Sequence, residues 1–309
     1  MDLIAEWLSD LRSSYSDEPI VTDVRVGVFY TAAEISTGDV GMAFTPRALS
    51  DTVCCPKTAA AAPPAGHLVG VKAWEMAEHA LSPSVLRRAV GVATLNALSA
   101  AAINRYGLPE GTLCEDLDAL DAAGVAPDDK VGMVGAFIPF IKSLKSRVAN
   151  LRVIDKHRDA LKPEEQHLWV PPERAAEALA NASVVILSGS TLVEGGLDEL
   201  LSCAKAARIR VIAGPTTPLW SRPFFKRGIG VLGGIMASNG RDLLAIAGQG
   251  GSGYFFEKAA RKICVTERSP DLARAQRETY GAGGLAAAGG GQVHQRANKA
   301  SASRWLRSG

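Results

Sequence analysis

Cysteine is scarce in this chain of 309 residues, and the five cysteines show no CxxC spacing. An odd number of unpatterned cysteines argues against a disulfide framework and favours a reducing cytoplasm. No apolar run reaches the roughly 20 residues that a membrane-spanning helix needs. The first residues, MDLIAEWLSDLRSSY, carry acids within their apolar pattern, unlike a signal peptide. We therefore expect a cytoplasmic protein with no membrane partner.

A strong charge of either sign is also absent. The 34 Lys and Arg residues nearly balance the 32 Asp and Glu residues, which gives a net charge of +2. Basic residues do not cluster with aromatic residues in the part predicted to fold, so no nucleic-acid partner is expected. With 47% hydrophobic residues, the chain is long enough to form two domains with a sizeable core.

In the first part of the chain, the spacing of apolar residues changes from helical to strand-like and then back to helical. Apolar residues recur at helical spacing over residues 2–15, and then Val24 to Tyr30 alternate as in a strand, with VGMAF returning after a turn. Two helices are predicted over residues 69–81 and 83–106, the second ended by Gly107. We interpret residues 1–110 as a small α+β domain.

A different pattern begins after a segment rich in Asp, Gly and Pro, which contains a predicted short helix at CEDLDALDAAG. The apolar runs KVGMVG, LRVID, VVILSGS, RVIAG and IGVLGGIMA alternate with helical segments. Such alternation predicts an α/β domain with a doubly wound parallel sheet over residues 128–265. Residues 266–309 are rich in Gly and Ala and basic near the end, which predicts a disordered tail.

The stretch from Val184 to Leu219 reads as a strand, helix and strand, each strand followed by a polar turn. A right-handed crossover brings the carboxyl ends of both strands to one edge, where open α/β sheets bind ligands. The alternative is that these residues only supply turn geometry. The candidate ligand-binding residues of the two turns are Ser188, Gly189, Ser190, Thr191, Gly214, Pro215, Thr216 and Thr217.

The first turn of the parallel sheet matches a dinucleotide fingerprint poorly. Gly132 and Gly135 stand in VGMVGAF, whereas the fingerprint needs a glycine two positions after the first. Asp155 follows the second strand, where a ribose-binding acid would lie, but it is also a candidate contact for another polar ligand or a solvated strand end. A nucleotide cofactor is therefore disfavoured, and Gly135 and Asp155 stay candidate ligand contacts.

Further polar residues are candidates for the space between the domains. Asn96 lies in a long apolar helix, so it either bonds to neighbouring backbone or points into the cleft. Thr31 and Thr45 lie on the predicted hairpin and either face the same cleft or serve as ordinary strand residues.

Direct metal binding has weak support in the sequence. Cys54, Cys55 and His67 fall in one predicted loop, but adjacent cysteines do not easily face one ion and no further pair completes the set. His157 and Asp159 form a second candidate, for which a surface position is the simpler interpretation. A metal ion stays open as a cofactor.

The segments VGVFYTAAE, GMAFTP, ATLNALS, KVGMVGAF, VVILSGSTLVEGGLDELL and VIAGPTTPL together resemble the two-domain bacterial and archaeal family of heavy-metal chelation proteins. The likeness spans about residues 5–257. It implies an enolase-N-terminal-like first domain, a Rossmann-like second domain and a site in the cleft between them. The family's activity is inferred from gene context near metal and siderophore functions. Glu194 stands where the family tends to carry Asn.

Three functions remain open. The first is binding or processing of a small polar or metal-chelating metabolite in the interdomain cleft. The second is a Rossmann-type transferase or oxidoreductase with a nucleotide cofactor, and the third is non-catalytic metal handling. The expected partner is a small molecule or metal chelate, and homo-oligomerisation stays open. The sequence does not settle whether the protein is an enzyme, because it contains no nucleophile elbow or recognisable catalytic triad.

Overall fold

The computed structural model describes residues 2–46 and 62–268. Cys54, Cys55 and the predicted tail beyond residue 268 lie outside these ranges, so the hypotheses made for them are not addressed by the structure. We call residues 2–46 and 62–106 the N-terminal unit and residues 112–266 the C-terminal unit.

The N-terminal unit places helices against a small antiparallel sheet of order β1-β2-β3. A long helix, α3, packs against β2 and β3. The elements are α1 (Leu3–Ser14), β1 (Val21–Val26), β2 (Tyr30–Ile35), β3 (Val40–Phe44), α2 (Ala73–Ala77) with a 3-10 turn (Glu78–Leu81), and α3 (Val85–Tyr106).

The C-terminal unit is built on an eight-stranded sheet of order β4-β11-β10-β9-β8-β5-β6-β7. The strands from β5 to β10 are mutually parallel, as predicted, and their order is that of a doubly wound Rossmann sheet. The strands are β4 (Thr112–Glu115), β5 (Lys130–Val134), β6 (Asn150–Ile154), β7 (Trp169–Val170), β8 (Val184–Ser188), β9 (Ile209–Ala213), β10 (Val231–Ala237) and β11 (Ala260–Thr266).

Helices cover both faces of this sheet. The connections between strands carry α4 (Ala119–Ala122), α5 (Ile138–Arg147), α6 (Ala175–Ala180), α7 (Thr191–Glu194), α8 (Leu197–Cys203), α9 (Arg222–Phe225) and α10 (Gly240–Gly248). Short 3-10 turns occur at Arg158–Ala160, Pro163–Leu168, Pro172–Arg174 and Gly253–Lys258. Among the described residues, no helix combines the length and apolarity that crossing a membrane would require.

The prediction of one strand from Val24 to Tyr30 is wrong, because a turn at residues 27–29 separates β1 from β2. Gly27 explains the turn: a Cβ at this position would lie 1.8 Å from the carbonyl oxygen of Ala247 in α10. The glycine therefore allows the turn to sit directly on that helix. The predicted helix over residues 69–81 is also too long, since regular α-helix is limited to α2 and continues only as a 3-10 turn.

Three strands that the sequence pattern did not reveal complete the larger sheet, and one of them, the two-residue β7, pairs parallel with β6. β11 pairs antiparallel with β10, and β4 pairs antiparallel with β11. The segment CEDLDALDAAG, predicted as a helix, begins at the end of β4 and becomes helical only at α4. β4 is a four-residue edge strand with half-exposed side chains, so its position depends on the partner strand rather than on a local period. The three cysteines within the described ranges, Cys114, Cys203 and Cys264, are free thiols.

The two units share one apolar core. Buried residues of α1 and α3, such as Trp7 and Leu95, belong to the same cluster as Leu187 of β8 and Phe224 of α9. The rings of Trp7 and Phe224 meet edge to face with centroids 5.7 Å apart. The opposite face of the larger sheet has a separate core, centred on Met133 and Ile186. The N-terminal unit thus acts as a covering layer for one face of the Rossmann-like sheet.

Candidate functional site

The carboxyl ends of β5 and β8 lie side by side at the centre of the larger sheet. The chain runs from β5 outward through β6 and β7, and then returns to β8 and proceeds to β9 and β10 on the other side. Ligands in open α/β folds bind at such a reversal of strand order, outside the carboxyl ends of the strands. The loops that follow β5, β8 and β9 therefore form the candidate site.

Glycines bring these three loops into direct contact. Gly135 has φ +93°, and a Cβ on it would lie 2.9 Å from the Cβ of Ser188. Similarly, a Cβ on Gly189 would lie 2.9 Å from the backbone nitrogen of Thr217. The turns after β8 and β9, which the sequence places at one edge, are thus adjacent to each other and to the turn after β5.

The hydroxyl groups after β8 are largely used within their own turn. The Ser190 hydroxyl donates to Ser188 Oγ at 2.9 Å, and Ser188 Oγ also accepts from the Ser190 backbone N–H at 3.2 Å. The Thr191 hydroxyl donates to the Ser188 carbonyl oxygen at 2.7 Å. Ser188 and Thr191 are buried, whereas Ser190 is half-buried. These bonds fix the turn and leave Ser190 nearest to solvent.

The N-terminal unit closes over the loop after β9. The Phe44 backbone N–H donates to Thr216 Oγ1 at 2.9 Å. Asn96 donates from Nδ2 to the carbonyl oxygens of Met42 at 2.8 Å and of Thr216 at 3.0 Å. Asn96 therefore satisfies backbone groups and also lies at the junction of the two units, so both of its predicted roles describe the same position.

A small cavity remains at this junction. It is lined from both units, by residues such as Gly41, Asn96 and Thr217, and its volume is about 20 Å³. About 10 to 15 Å³ suffices for one water. Thr217 is only 3% exposed, and its Oγ1 has no hydrogen-bond partner among residues 2–46 and 62–268. A buried hydroxyl without a partner is costly, so this atom points to an occupant of the cavity.

Asp155 and Phe137 shape the outer side of the site. The Asp155 carboxylate accepts from the backbone N–H groups of Ala136 at 2.8 Å and His157 at 2.9 Å, so it holds together the loops after β5 and β6. Gly214 has φ +114°, and a Cβ there would lie 2.9 Å from Cζ of Phe137. The ring of Phe137, which follows β5, thus fills the space in front of β9. In a dinucleotide-binding fold, by contrast, the backbone of the turn after the first strand is open to a pyrophosphate.

The remaining candidates lie away from an open site. The Thr31 and Thr45 hydroxyls hydrogen-bond to each other at 3.0 Å, and both residues are buried within the N-terminal unit. His157 and Asp159 are exposed. Among the described residues, no group of three or more His, Cys, Asp or Glu side chains is placed to hold a metal ion.

Two contacts at this edge have no signal in the sequence. Arg88, on the first turn of α3, donates from Nη1 to the Val193 carbonyl oxygen at 2.9 Å and thereby ties α3 to the end of α7. Glu194 forms a 3.0 Å ion pair with Lys156, which follows β6. Both pairs join segments that are distant in sequence. From sequence alone, a charged residue on a helix is ordinarily predicted to face solvent. Only the tertiary structure brings these segments together.

Comparison with known families fits this architecture. Two family models match the chain, one over residues 9–99 and one over residues 118–266, and both carry the description "Putative heavy-metal chelation". The chain belongs to this heavy-metal chelation family. Its DUF364 model, which matches residues 118–266, contains all three loops of the candidate site. No curated protein sequence matches the chain.

Solved structures of the DUF364 family share the fold. A protein of unknown function from Pyrococcus horikoshii aligns with a TM-score of 0.68 at 20% identity, covering 86% of this chain and 100% of that one. A second protein of unknown function, from Desulfitobacterium hafniense, aligns with a TM-score of 0.67 at 16% identity, covering 85% of this chain and 99% of that one. These likenesses establish the two-domain α/β fold, and at this identity they do not extend to a ligand.

Proposed function

We propose that the protein binds a small polar, metal-chelating metabolite at the junction of its two units, between α3 and the loops after β8 and β9. The observation that carries this proposal is the Thr217 hydroxyl, which is buried and unpartnered beside Asn96 in the cavity described above. The family description supports a ligand connected with metals. The cavity lies beside the loop after β9, at the carboxyl edge of a doubly wound sheet, and this position supports a small molecule.

The chemistry of the donor set favours a metal complex over a bare ion. The polar groups at the junction are the hydroxyls of Thr216 and Thr217, the side-chain amide of Asn96 and backbone groups. The Asp155 carboxylate, in the loop after β6, is held by two backbone N–H groups. Heavy-metal ions prefer thiolate and imidazole ligands, and among the described residues no group of three or more His, Cys, Asp or Glu side chains is placed to hold an ion. The metal would therefore arrive as cargo, with its ligand atoms supplied by the organic chelator, and the protein would recognise the chelator through hydrogen bonds.

The size of the cavity sets a further requirement. Room for one water does not accommodate a metabolite, so binding requires the loop after β9 to move away from the N-terminal unit. Two hydrogen bonds hold that loop against the N-terminal unit, from the Phe44 N–H to Thr216 Oγ1 and from Asn96 Nδ2 to the Thr216 carbonyl oxygen. Each bond contributes only about 1 kcal/mol to stability. Opening the loop therefore costs little free energy when a ligand replaces these bonds with its own. We expect the ligand to select a more open arrangement of this loop.

The experiment begins with the protein as purified. Native mass spectrometry identifies any small molecule that copurifies, and elemental analysis identifies its metal. The Thr217→Val variant keeps the shape of the side chain and removes the hydroxyl, so affinity for that molecule should fall by about 1 to 3 kcal/mol, or roughly 5-fold to 150-fold. Calorimetric titration of the isolated molecule into both proteins measures the change.

Thr266→Val is the matched control. Thr266 of β11 is also buried and also lacks a partner for Oγ1 among the described residues, but it lies in the pairing with edge strand β4. This control should bind the molecule as the parent does. Equal affinity in the Thr217 variant and the parent would contradict the proposal, as would a copurifying molecule whose binding protects a different region from hydrogen exchange.

A further inference from the structure

A second cavity, far larger than the junction cavity, lies beside β6 in the C-terminal unit. The volume of this groove is about 520 Å³, which is within the range of small-molecule sites, about 300 to 1,000 Å³. Four basic side chains line it, those of Lys130, Arg152, His167 and Arg174. Lys130 begins β5 and Arg152 lies in β6, so the groove is at the start of these strands, away from the loops of the candidate site.

One of the two arginines of the groove, Arg152, lies on a strand of the sheet. The strand registers place Arg152, Gly132, Val185 and Arg210 in one row across β6, β5, β8 and β9. Arg210 is held by three backbone carbonyl oxygens, those of residues 204, 205 and 228, at 2.9 to 3.0 Å. Arg152 stands at the other end of the row and has no side-chain hydrogen bond within the described ranges. Two arginines of the same row therefore differ: one is bonded to the protein and the other faces the groove.

Arg152 is uncovered although its neighbours are not. The helix α6 has six residues and contacts β6, and its Leu179 covers Gly132, where a Cβ would lie 2.9 Å from Leu179 Cδ2. Arg152 is exposed, whereas Leu151 and Val153 on either side are buried. Val170, Ala178 and Ala182 give the groove an apolar part.

The basic side chains of the groove differ in whether they have an acidic partner. Arg174 pairs with Glu177, with an Nη2 to Oε1 distance of 2.8 Å. Lys130, like Arg152, has no side-chain partner within residues 2–46 and 62–268. Two cations are thus left without a counterion beside an apolar surface. Such a surface attracts an anion, and a guanidinium binds carboxylate and phosphate oxygens in a bidentate manner.

We propose that this groove binds a small organic anion that combines an apolar body with one carboxylate or phosphate group. Arg152 and Lys130 would hold the anionic group, and the apolar body would lie against Ala178 and Ala182. The site is separate from the junction cavity and does not depend on the function proposed for it.

The test uses the full chain and three probes of similar shape: benzoate, phenyl phosphate and uncharged benzyl alcohol. We expect saturable binding of at least one anion, weakened by added salt because the contact is electrostatic, and no comparable binding of benzyl alcohol. The stronger of the two anions identifies the head group. The Arg152→Met and Lys130→Met variants keep the apolar stem of each side chain and should each weaken binding about fivefold or more.

Arg241→Met is the matched control, because Arg241 is an exposed arginine of α10 outside the groove. It should leave the affinity for the anion unchanged. Circular dichroism melting of all three variants confirms that they fold. The inference is overturned if neither anion binds saturably, if benzyl alcohol binds as well as the anions, or if Arg152→Met and Lys130→Met bind as the parent does.

Discussion

Arg208 donates to both carboxylate oxygens of Asp129, with an Nε to Oδ1 distance of 3.1 Å and an Nη2 to Oδ2 distance of 2.5 Å. Asp129 precedes β5 and Arg208 precedes β9, so this pair fixes two parallel strands that are not neighbours in the sheet. Asp129 also accepts from the Ser183 hydroxyl at 2.8 Å, next to β8. One buried carboxylate therefore joins the starts of β5, β8 and β9, whose carboxyl ends carry the candidate site.

Replacing Asp129 with Asn should lower the free energy of unfolding by about 2 to 4 kcal/mol, because Arg208 and Ser183 lose a charged acceptor in a buried place. Urea denaturation of the parent and the variant measures the difference. Asp121→Asn serves as the control, since Asp121 is half exposed in its pair with Arg147. That change should cost less than about 1 kcal/mol, and equal losses in the two variants would contradict the role given to Asp129.

The same carboxylate predicts an acid dependence. Burial by itself would raise the pKa of Asp129, but hydrogen bonds from Arg208, the Ala126 N–H and Ser183 outweigh burial and lower this pKa to about 2. An unfolded chain has an Asp pKa near 3.9. The native state therefore gains stability from this group above about pH 4 and loses it as pH falls towards 2. The stability difference between parent and Asp129→Asn should narrow over this interval, and a constant difference would contradict the assignment.

Asn96 should be required for the junction of the two units. Its replacement by Leu leaves the buried carbonyl oxygens of Met42 and Thr216 without a donor, which should cost about 2 to 4 kcal/mol of unfolding free energy. Asn104 lies in the same helix but is exposed and donates to Asp39 at 2.7 Å. Asn104→Leu should therefore cost less than about 1 kcal/mol. Thermal denaturation compares the melting temperatures of the two variants. Similar melting temperatures would argue against a role of Asn96 in closing the junction.

Alanine substitutions at Gly135 and Gly38 distinguish the cost of backbone strain from the cost of overpacking. Both have positive φ, +93° and +86°, but a Cβ on Gly38 would meet no atom within 4 Å, whereas one on Gly135 would press on Ser188. Gly38→Ala should cost about 1 kcal/mol from conformation alone. Gly135→Ala should cost about 2 to 4 kcal/mol because overpacking is added. Chemical denaturation measures both, and equal costs would mean that the loops after β5 and β8 can separate freely.

Arg210 and Arg152 should respond differently to the same substitution. Arg210→Met removes three hydrogen bonds to backbone carbonyl oxygens, so the unfolding free energy should fall by about 2 to 3 kcal/mol. Arg152→Met removes a side chain that makes no hydrogen bond within the described ranges, and stability should change by no more than about 0.5 kcal/mol. A large loss for Arg152→Met would indicate a structural role instead of a ligand contact.

Much of the C-terminal unit could be predicted from local pattern. The runs at β5, β6, β8, β9 and β10 are nearly continuous apolar strands, because parallel strands are covered on both faces, and the helices between them are amphipathic. The turns after β8 and β9 were located for the same reason, since a right-handed crossover leaves little choice of edge. β4, β7 and β11 were not found, because β7 has only two residues and the antiparallel pairing of β4 and β11 depends on a partner distant in sequence.

The sequence by itself determined the alternation of β5, β6, β8, β9 and β10 with helices, and therefore the edge at which the polar turns meet. Tertiary structure decided what those turns do. Whether the Thr216 hydroxyl meets a ligand or the Phe44 N–H depends on how the N-terminal unit lies on the sheet, and this position is set by a core that both units share. Likewise, Arg152 and Arg210 occupy the same row of the sheet, and only tertiary contacts give Arg210 three carbonyl partners and leave Arg152 in the groove. Local periodicity encodes which face of an element is buried, but contacts between distant segments determine which polar atoms remain without a partner.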